Sequence, residues 1–196
     1  MPDRLTGMPS APPTRAPASW RPSPRARVGS WLADWAVVGL WLGVLTIAGL
    51  VLRPALGLSA TFTVSPGSLL ASDIAITLAT VVPYVCYLAL TESSSRQATL
   101  GKRWAGLVVT ALDGGPPSRS AIWLRNVVKA LPWQLAHLGA ARGILEVQEG
   151  WGLALVVLSL ALAVLCAAPA LAGGRGIHDR AAGTRVARVA TAGAAP

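Results

Sequence analysis

From Val28 to Leu52 the chain runs through apolar and small residues broken by a single charge, Asp34. At 1.5 Å per residue, this run reaches about 37 Å as a helix, enough to cross a hydrocarbon core of about 30 Å with some tilt. A second apolar run covers residues 69–90, after a loop holding Arg53, Pro54, Gly57, Pro66 and Gly67. Asp73 lies near its start and reads as a helix-start or interface acid. Pro83 inside it predicts a kink with one lost helical hydrogen bond. A third run, residues 151–172, is bounded by Gly150 and by Pro169, Gly173 and Gly174.

Three crossings conflict with the placement of the basic residues. Lys and Arg concentrate in cytoplasmic loops. That rule puts Arg4, Arg15, Arg21, Arg25 and Arg27 on the cytoplasmic side, together with Arg96, Lys102, Arg103 and Arg119 of the middle loop. An odd number of spans would export Arg175, Arg180, Arg185 and Arg188. Reading residues 120–145 as a fourth, less hydrophobic helix restores parity. The alternative is a helix that lies at the interface. Arg125 and Lys129, four apart, share one face at its cytoplasmic end, and Pro132 should bend it. Residues 107–109, followed by Asp113-Gly114-Gly115-Pro116-Pro117, fit a short strand ending in a turn. Residues 184–189, where Thr, Val and Val alternate with Arg, Ala and Arg, offer it a mate. No internal repeat is visible.

The fold class expected is therefore an all-α integral membrane protein of the cell (inner or plasma) membrane, with both termini cytoplasmic. It is a small bundle of four membrane helices, or three plus one interfacial, with a short cytoplasmic strand pair. The spans fall at about 28–52, 69–90, 120–145 and 151–172. Residues 1–25 form a disordered Pro/Arg-rich tail, residues 26–189 the membrane domain and residues 190–196 a disordered tail. A long basic segment before a long first run argues against a cleaved secretory signal.

Composition agrees, with 53% hydrophobic and only 13% charged residues against about 25% charged in soluble domains. The 17 Lys and Arg against 8 Asp and Glu lie mostly outside the apolar runs, which suits an anionic leaflet and not nucleic acid, whose recognition would need bases interleaved with aromatics. Cys86 and Cys166 fall inside apolar runs and read as small buried residues, neither disulfide nor metal pair. Gly101-Lys102 does not complete a phosphate loop, because positions 96 and 103 are arginines. Lys102 and Arg103 are expected to contact lipid phosphates or to start a helix. His137 and His178 form no metal centre with cysteines in spans, no hydrolytic triad stands out, and neither an enzyme nor a cofactor is expected.

Candidate chemistry rests on Asp34, about 9 Å inside the first span by helical rise. A carboxylate facing lipid there costs roughly 2.5 to 3.5 kcal/mol, so it should face protein and have a partner. Arg27 shares its face but sits about 10.5 Å away along the axis. Asp34 is therefore expected to meet Arg125 or Lys129, and Asp179 to meet Arg27. Such a cluster equips a proton- or monovalent-cation-coupled transporter, which in so small a bundle would need a homo-oligomer. The rival reading is a non-transporting scaffold or accessory subunit whose basic face binds anionic lipids or proteins.

Three stretches together resemble the RDD family of membrane proteins. Arg27-Val-Gly-Ser-Trp-Leu-Ala-Asp34 is similar to the family's Arg and Asp at the head of the first span. Leu100-Gly101-Lys102-Arg103-Trp104, with Asp113-Gly114 and Arg125 beyond it, resembles its Gly-Lys-Arg stretch and following arginine. His178-Asp179-Arg180-Ala-Ala-Gly183-Thr184-Arg-Val186 resembles its closing His-Asp and Gly-Thr-x-Val. The resemblance implies a small bacterial inner-membrane protein, with cation or proton exchange proposed for some members, and supplies no catalytic residues. The Pro-rich N-terminal extension and the Gly-Gly-Pro-Pro turn depart from it.

Overall fold

Three of the four long helices begin on a serine whose side chain caps the first turn, at Ser23, Ser65 and Ser118, while the fourth, Glu149–Leu171, follows Gln148 with no side-chain cap. The computed structural model describes residues 21–57 and 64–189. Of the expected disordered tail at 1–25, residues 1–20 lie outside the described residues, as does the tail at 190–196, while residues 24 and 25 are already helical. Helix α1 spans Pro24–Ala55: the Ser23 side chain accepts from the Ala26 N–H, and Pro24 occupies the first turn, where its missing N–H costs nothing. Arg27 is therefore helical. Helix α2, Pro66–Glu92, starts on a Ser65/Ser68 capping box.

Pro83 acts as its chemistry requires. It cannot donate to the carbonyl of Ala79, and α2 passes through one wide π-type turn over Thr77–Val81. The freed Ala79 carbonyl accepts from the Trp41 indole N–H of α1 at 2.8 Å, so the lost bond is replaced from the neighbouring helix.

After α2 come the short helix α3, Leu100–Trp104, and strand β1, Leu107–Ala111. Helix α4 spans Arg119–Ile144, capped by Ser118, and α5 spans Glu149–Leu171. The chain closes with the short helix α6, Ile177–Ala181, and strand β2, Thr184–Arg188. The strands pair antiparallel, with Leu107 opposite Arg188, Val109 opposite Val186 and Ala111 opposite Thr184. This is the strand pair expected from the alternating pattern. Val109 packs with Ala89 and Ile122, which seats the sheet against the end of α2 and the start of α4.

An internal repeat, not visible in the sequence, is present in the order of elements: long helix, long helix, short helix, strand, twice over. Gly106 and Gly183 adopt φ of +66° and +63° and turn each short helix into its strand, a conformation open to glycine at no steric cost. Lys102 and Asp179 each stand four residues before that glycine. Composition hides the repeat because the equivalent side chains carry opposite charges.

Helices α1, α2 and α5 are long and apolar enough to cross a membrane, and large apolar side chains such as Leu40, Leu50, Leu78 and Leu160 point outward. Helix α4 has the length, about 39 Å, but carries Arg125, Asn126 and Lys129. It lies along α5 so closely that a Cβ on Gly139 would meet the Gly152 carbonyl oxygen at 2.7 Å, while Ser159 donates to the Pro132 carbonyl, also at 2.7 Å. It touches α2 at both ends. Arg142 grips Asp73 with two bonds of 2.9 and 3.3 Å, and Arg125 meets Glu92 at the other end.

Candidate functional site

Glu92, the last residue of α2, accepts more charge than any described side chain of the cap, the layer of α3, β1, α6 and β2 at that end of the bundle. Fully buried, it takes the Lys102 ammonium at 2.8 Å on one oxygen and the Arg125 guanidinium at 2.6 Å on the other, where Asn126 also donates at 2.9 Å. Arg125 turns its Nε to Asp179 at 2.7 Å, and the Thr184 hydroxyl donates to the same Asp179 oxygen at 3.0 Å. Arg175 ties the Asp179 and Thr184 backbone carbonyls at 2.8 and 2.9 Å. One continuous network thus joins α2, α3, α4, α6 and β2. Charges this deep are tolerated only when paired and hydrogen-bonded.

Asp34 stands beside this network, not in it. Its carboxylate accepts from the Tyr87 hydroxyl at 2.8 Å, the Thr99 hydroxyl at 2.7 Å and the Gly101 N–H at 2.9 Å. These donors dock α3 on α1. Gly101 is required there, because a Cβ would fall on the Ser30 carbonyl oxygen and against the Asp34 carboxylate. The expectation that Asp34 meets Arg125 or Lys129 is therefore not met: α3 brings neutral donors to it first, while Glu92 and Asp179 hold Arg125. Nor does Asp179 pair with Arg27. The Arg27 Nη2 donates to the Gly174 carbonyl at 3.2 Å, in the turn between α5 and α6, and its buried Nε has no hydrogen-bond partner. Lys102 does not reach lipid phosphates, being 3% exposed against Glu92; Arg103 next to it is exposed.

Of the expected residues, the structure thus gathers Arg125, Asp179, Lys102 and Thr184 into direct contact, with His178 Nε2 3.5 Å from Asp179. Lys129 makes no hydrogen bond or ion pair within 4.0 Å among the described residues. The residues that sequence reasoning missed are Glu92, Asn126, Tyr87 and Thr99. Glu92 had a signal, an acid directly after an apolar run at the end facing the basic loop, but the following Ser93-Ser94-Ser95 reads as plain loop.

Electrostatics in the cap follow from burial. Burial first, and the Arg125 cation second, push the His178 imidazole down to about 3, so it is neutral near pH 7. Burial alone would raise the Asp179 carboxyl, yet Arg125, His178 and the hydrogen bonds from Arg125 and Thr184 outweigh it and hold it below the usual carboxylate range. Burial pushes the Lys102 ammonium below its ordinary value against the pull of Glu92. Both His178 and Asp179 make the fold acid-sensitive in the same direction. An unfolded histidine takes its proton near pH 6.5 while the folded one refuses it until about 3, so stability present at neutral pH drains away as pH falls across that window, at up to about 1.4 kcal/mol per pH unit. Asp179 adds to the loss below about pH 4, near the unfolded value. In thermal melts, His178→Asn should flatten the decline between pH 6.5 and 5. An unchanged slope in the variant would remove His178 from this role.

Three chambers meet at Lys129. One of 20 Å³ is lined by Arg27, Lys102, Arg125, Lys129 and His178. A second of 270 Å³ is lined by Trp31, Trp35, Tyr84 and Trp133, with Lys129 and His178 at its end. A third of 80 Å³ joins Lys129 to Asp34.

A model of the RDD family matches residues 21–183 of the chain, from just ahead of the first helix to the glycine before β2. No curated protein and no solved structure matches it.

Proposed function

The chain belongs to the RDD family, and on that premise we propose a multi-pass plasma-membrane protein, four times across and with cytoplasmic termini, that serves as a scaffold or accessory subunit. The observation that carries this reading is the commitment of the buried acids: Glu92 and Asp179 are each spent on cations that bind the cap to the bundle. A carboxylate that loads and releases a cation would have to break that joint in every cycle, at the several kcal/mol that a stranded buried charge costs. Four crossings suit α4, whose two ends pair with opposite ends of α2. They leave Arg21, Arg25, Arg96, Arg103, Arg119, Arg180 and Arg188 exposed on the cap side, where they would meet anionic lipids or an acidic protein. A cysteine placed after Ala190 is expected to resist an impermeant reagent applied from outside; labelling from that side would overturn the four-crossing arrangement.

Coupled transport is the second reading, favoured by one observation: Asp34 is held by neutral donors and is free of a charge partner within 4.0 Å among the described residues. Vesicles carrying the purified protein separate the two. No proton flux above that of empty vesicles is expected under sodium or potassium gradients. Flux that Asp34→Asn abolishes at unchanged yield of folded protein would establish transport instead.

A further inference from the structure

The charges around the 20 Å³ chamber do not balance, although only three of its four cations, Arg27, Lys102 and Arg125, are buried and Lys129 is half-buried. Arg27, Lys102, Arg125 and Lys129 face it, and no carboxylate does. The acids that serve these cations, Glu92 and Asp179, stand behind them, and Asp34 lies one chamber away. Four cations against three acids leave a surplus of one positive charge, and Arg175 at the rim adds another. Two donors point to where the deficit is felt. Lys129 has no hydrogen bond or ion pair among the described residues. The Arg27 Nε, in a side chain 5% exposed, is unpartnered. A charge partly withdrawn from water gains from a counter-ion, and a space of this size admits a species about as large as one water.

We propose that this chamber binds a compact monoanion between Lys129 and Arg27, supplied either as a free halide or as the carboxylate of a lipophilic acid. Both sources share the same recognition chemistry, a single negative charge received by an ammonium and a guanidinium N–H. They differ in the body attached to that charge. A halide ends at the chamber. A lipophilic acid would lay its chain in the 270 Å³ chamber, whose Trp31, Trp35, Tyr84 and Trp133 offer apolar and aromatic surface directly behind Lys129. The site is independent of whether the protein acts as a scaffold or a transporter, since the groups that would receive the anion are Lys129 and Arg27 and not Asp34.

The test uses the full chain in a neutral detergent, with thermal unfolding as readout. Sodium chloride should raise the midpoint over sodium gluconate at equal ionic strength, and the rise should saturate, as binding to the folded state alone requires. Sodium octanoate is the second probe. Lys129→Met and Lys129→Gln remove an unpaired charge and should fold; each should weaken the chloride response at least tenfold in concentration. Ala163→Leu, which projects into the aromatic chamber, should leave the chloride response intact. If octanoate also stabilises and Ala163→Leu cancels that effect alone, the carboxylate source is supported. A chloride response without an octanoate response supports the halide. Equal midpoints in all salts, or a response that both Lys129 variants retain, would overturn the site.

Discussion

Glu92→Gln is expected to lower stability by about 3 to 5 kcal/mol, the cost of leaving buried charges without their partner. Glu92 takes Lys102 on one oxygen and Arg125 on the other, with both cations almost without exposure. Glutamine keeps the shape and removes the charge. Lys102 then faces an amide and Arg125 keeps Asp179 alone, so one buried positive charge is left without an acid. Yield of monodisperse protein and the thermal midpoint should both fall. Adding Lys102→Met should restore part of the loss, because it withdraws the cation left without an acid. A midpoint within a degree of wild type would mean that Glu92 does not hold the cap.

The second large effect is expected from a single methyl group. In Gly101→Ala the new Cβ would sit on the Ser30 carbonyl oxygen and 2.9 Å from the Asp34 carboxylate. The Ser30 atom is backbone in the second turn of a capped helix and cannot swing aside. Helix α3 would have to lift, breaking the bonds from Gly101 N–H and the Thr99 hydroxyl to Asp34. Overpacking alone costs about 1 to 3 kcal/mol, and hydrogen bonds to a charged group about 1.5 to 3 each, so a loss above about 3 kcal/mol is expected. Gly43→Ala is the control. Nothing lies within 4 Å of its new methyl, and the change should be neutral or stabilising by up to about 1 kcal/mol, the ordinary gain of alanine in a helix. Equal melting of the two variants would contradict the tight docking of α3 on α1.

Much of the fold was legible because hydrophobic runs and polar caps have local causes. The apolar runs at residues 28–52, 69–90 and 151–172 sit inside α1, α2 and α5, and the parity of the basic loops located α4 despite its low hydropathy. The strand pair was legible from the mates at 107–109 and 184–189, while its antiparallel register, Val109 opposite Val186, came only with the structure. Partners within the charge cluster were not legible. Asp34 and Arg125 are both buried, as apolar surroundings demand, but which helix end faces which is decided by packing in three dimensions. The short helix α3 intervenes with hydroxyl and amide donors that no charge count reveals. Glu92 escaped for a related reason: an acid beyond an apolar run reads as solvated until α3 and α4 close over it.

The claim on which the rest depends is that Arg125 joins the bundle to the cap through Asp179. A double-mutant cycle of Arg125→Gln and Asp179→Asn, read as unfolding free energy, tests it most directly. The double variant should lose less than the sum of the single losses by at least about 1.5 kcal/mol, as groups sharing a buried ion pair do. The cycle of Arg125→Gln with Asp73→Asn, whose partner Arg142 stands at the other end of α4, should be additive within about 0.5 kcal/mol. Additive losses in both cycles would contradict the joint and, with it, the scaffold reading built on it.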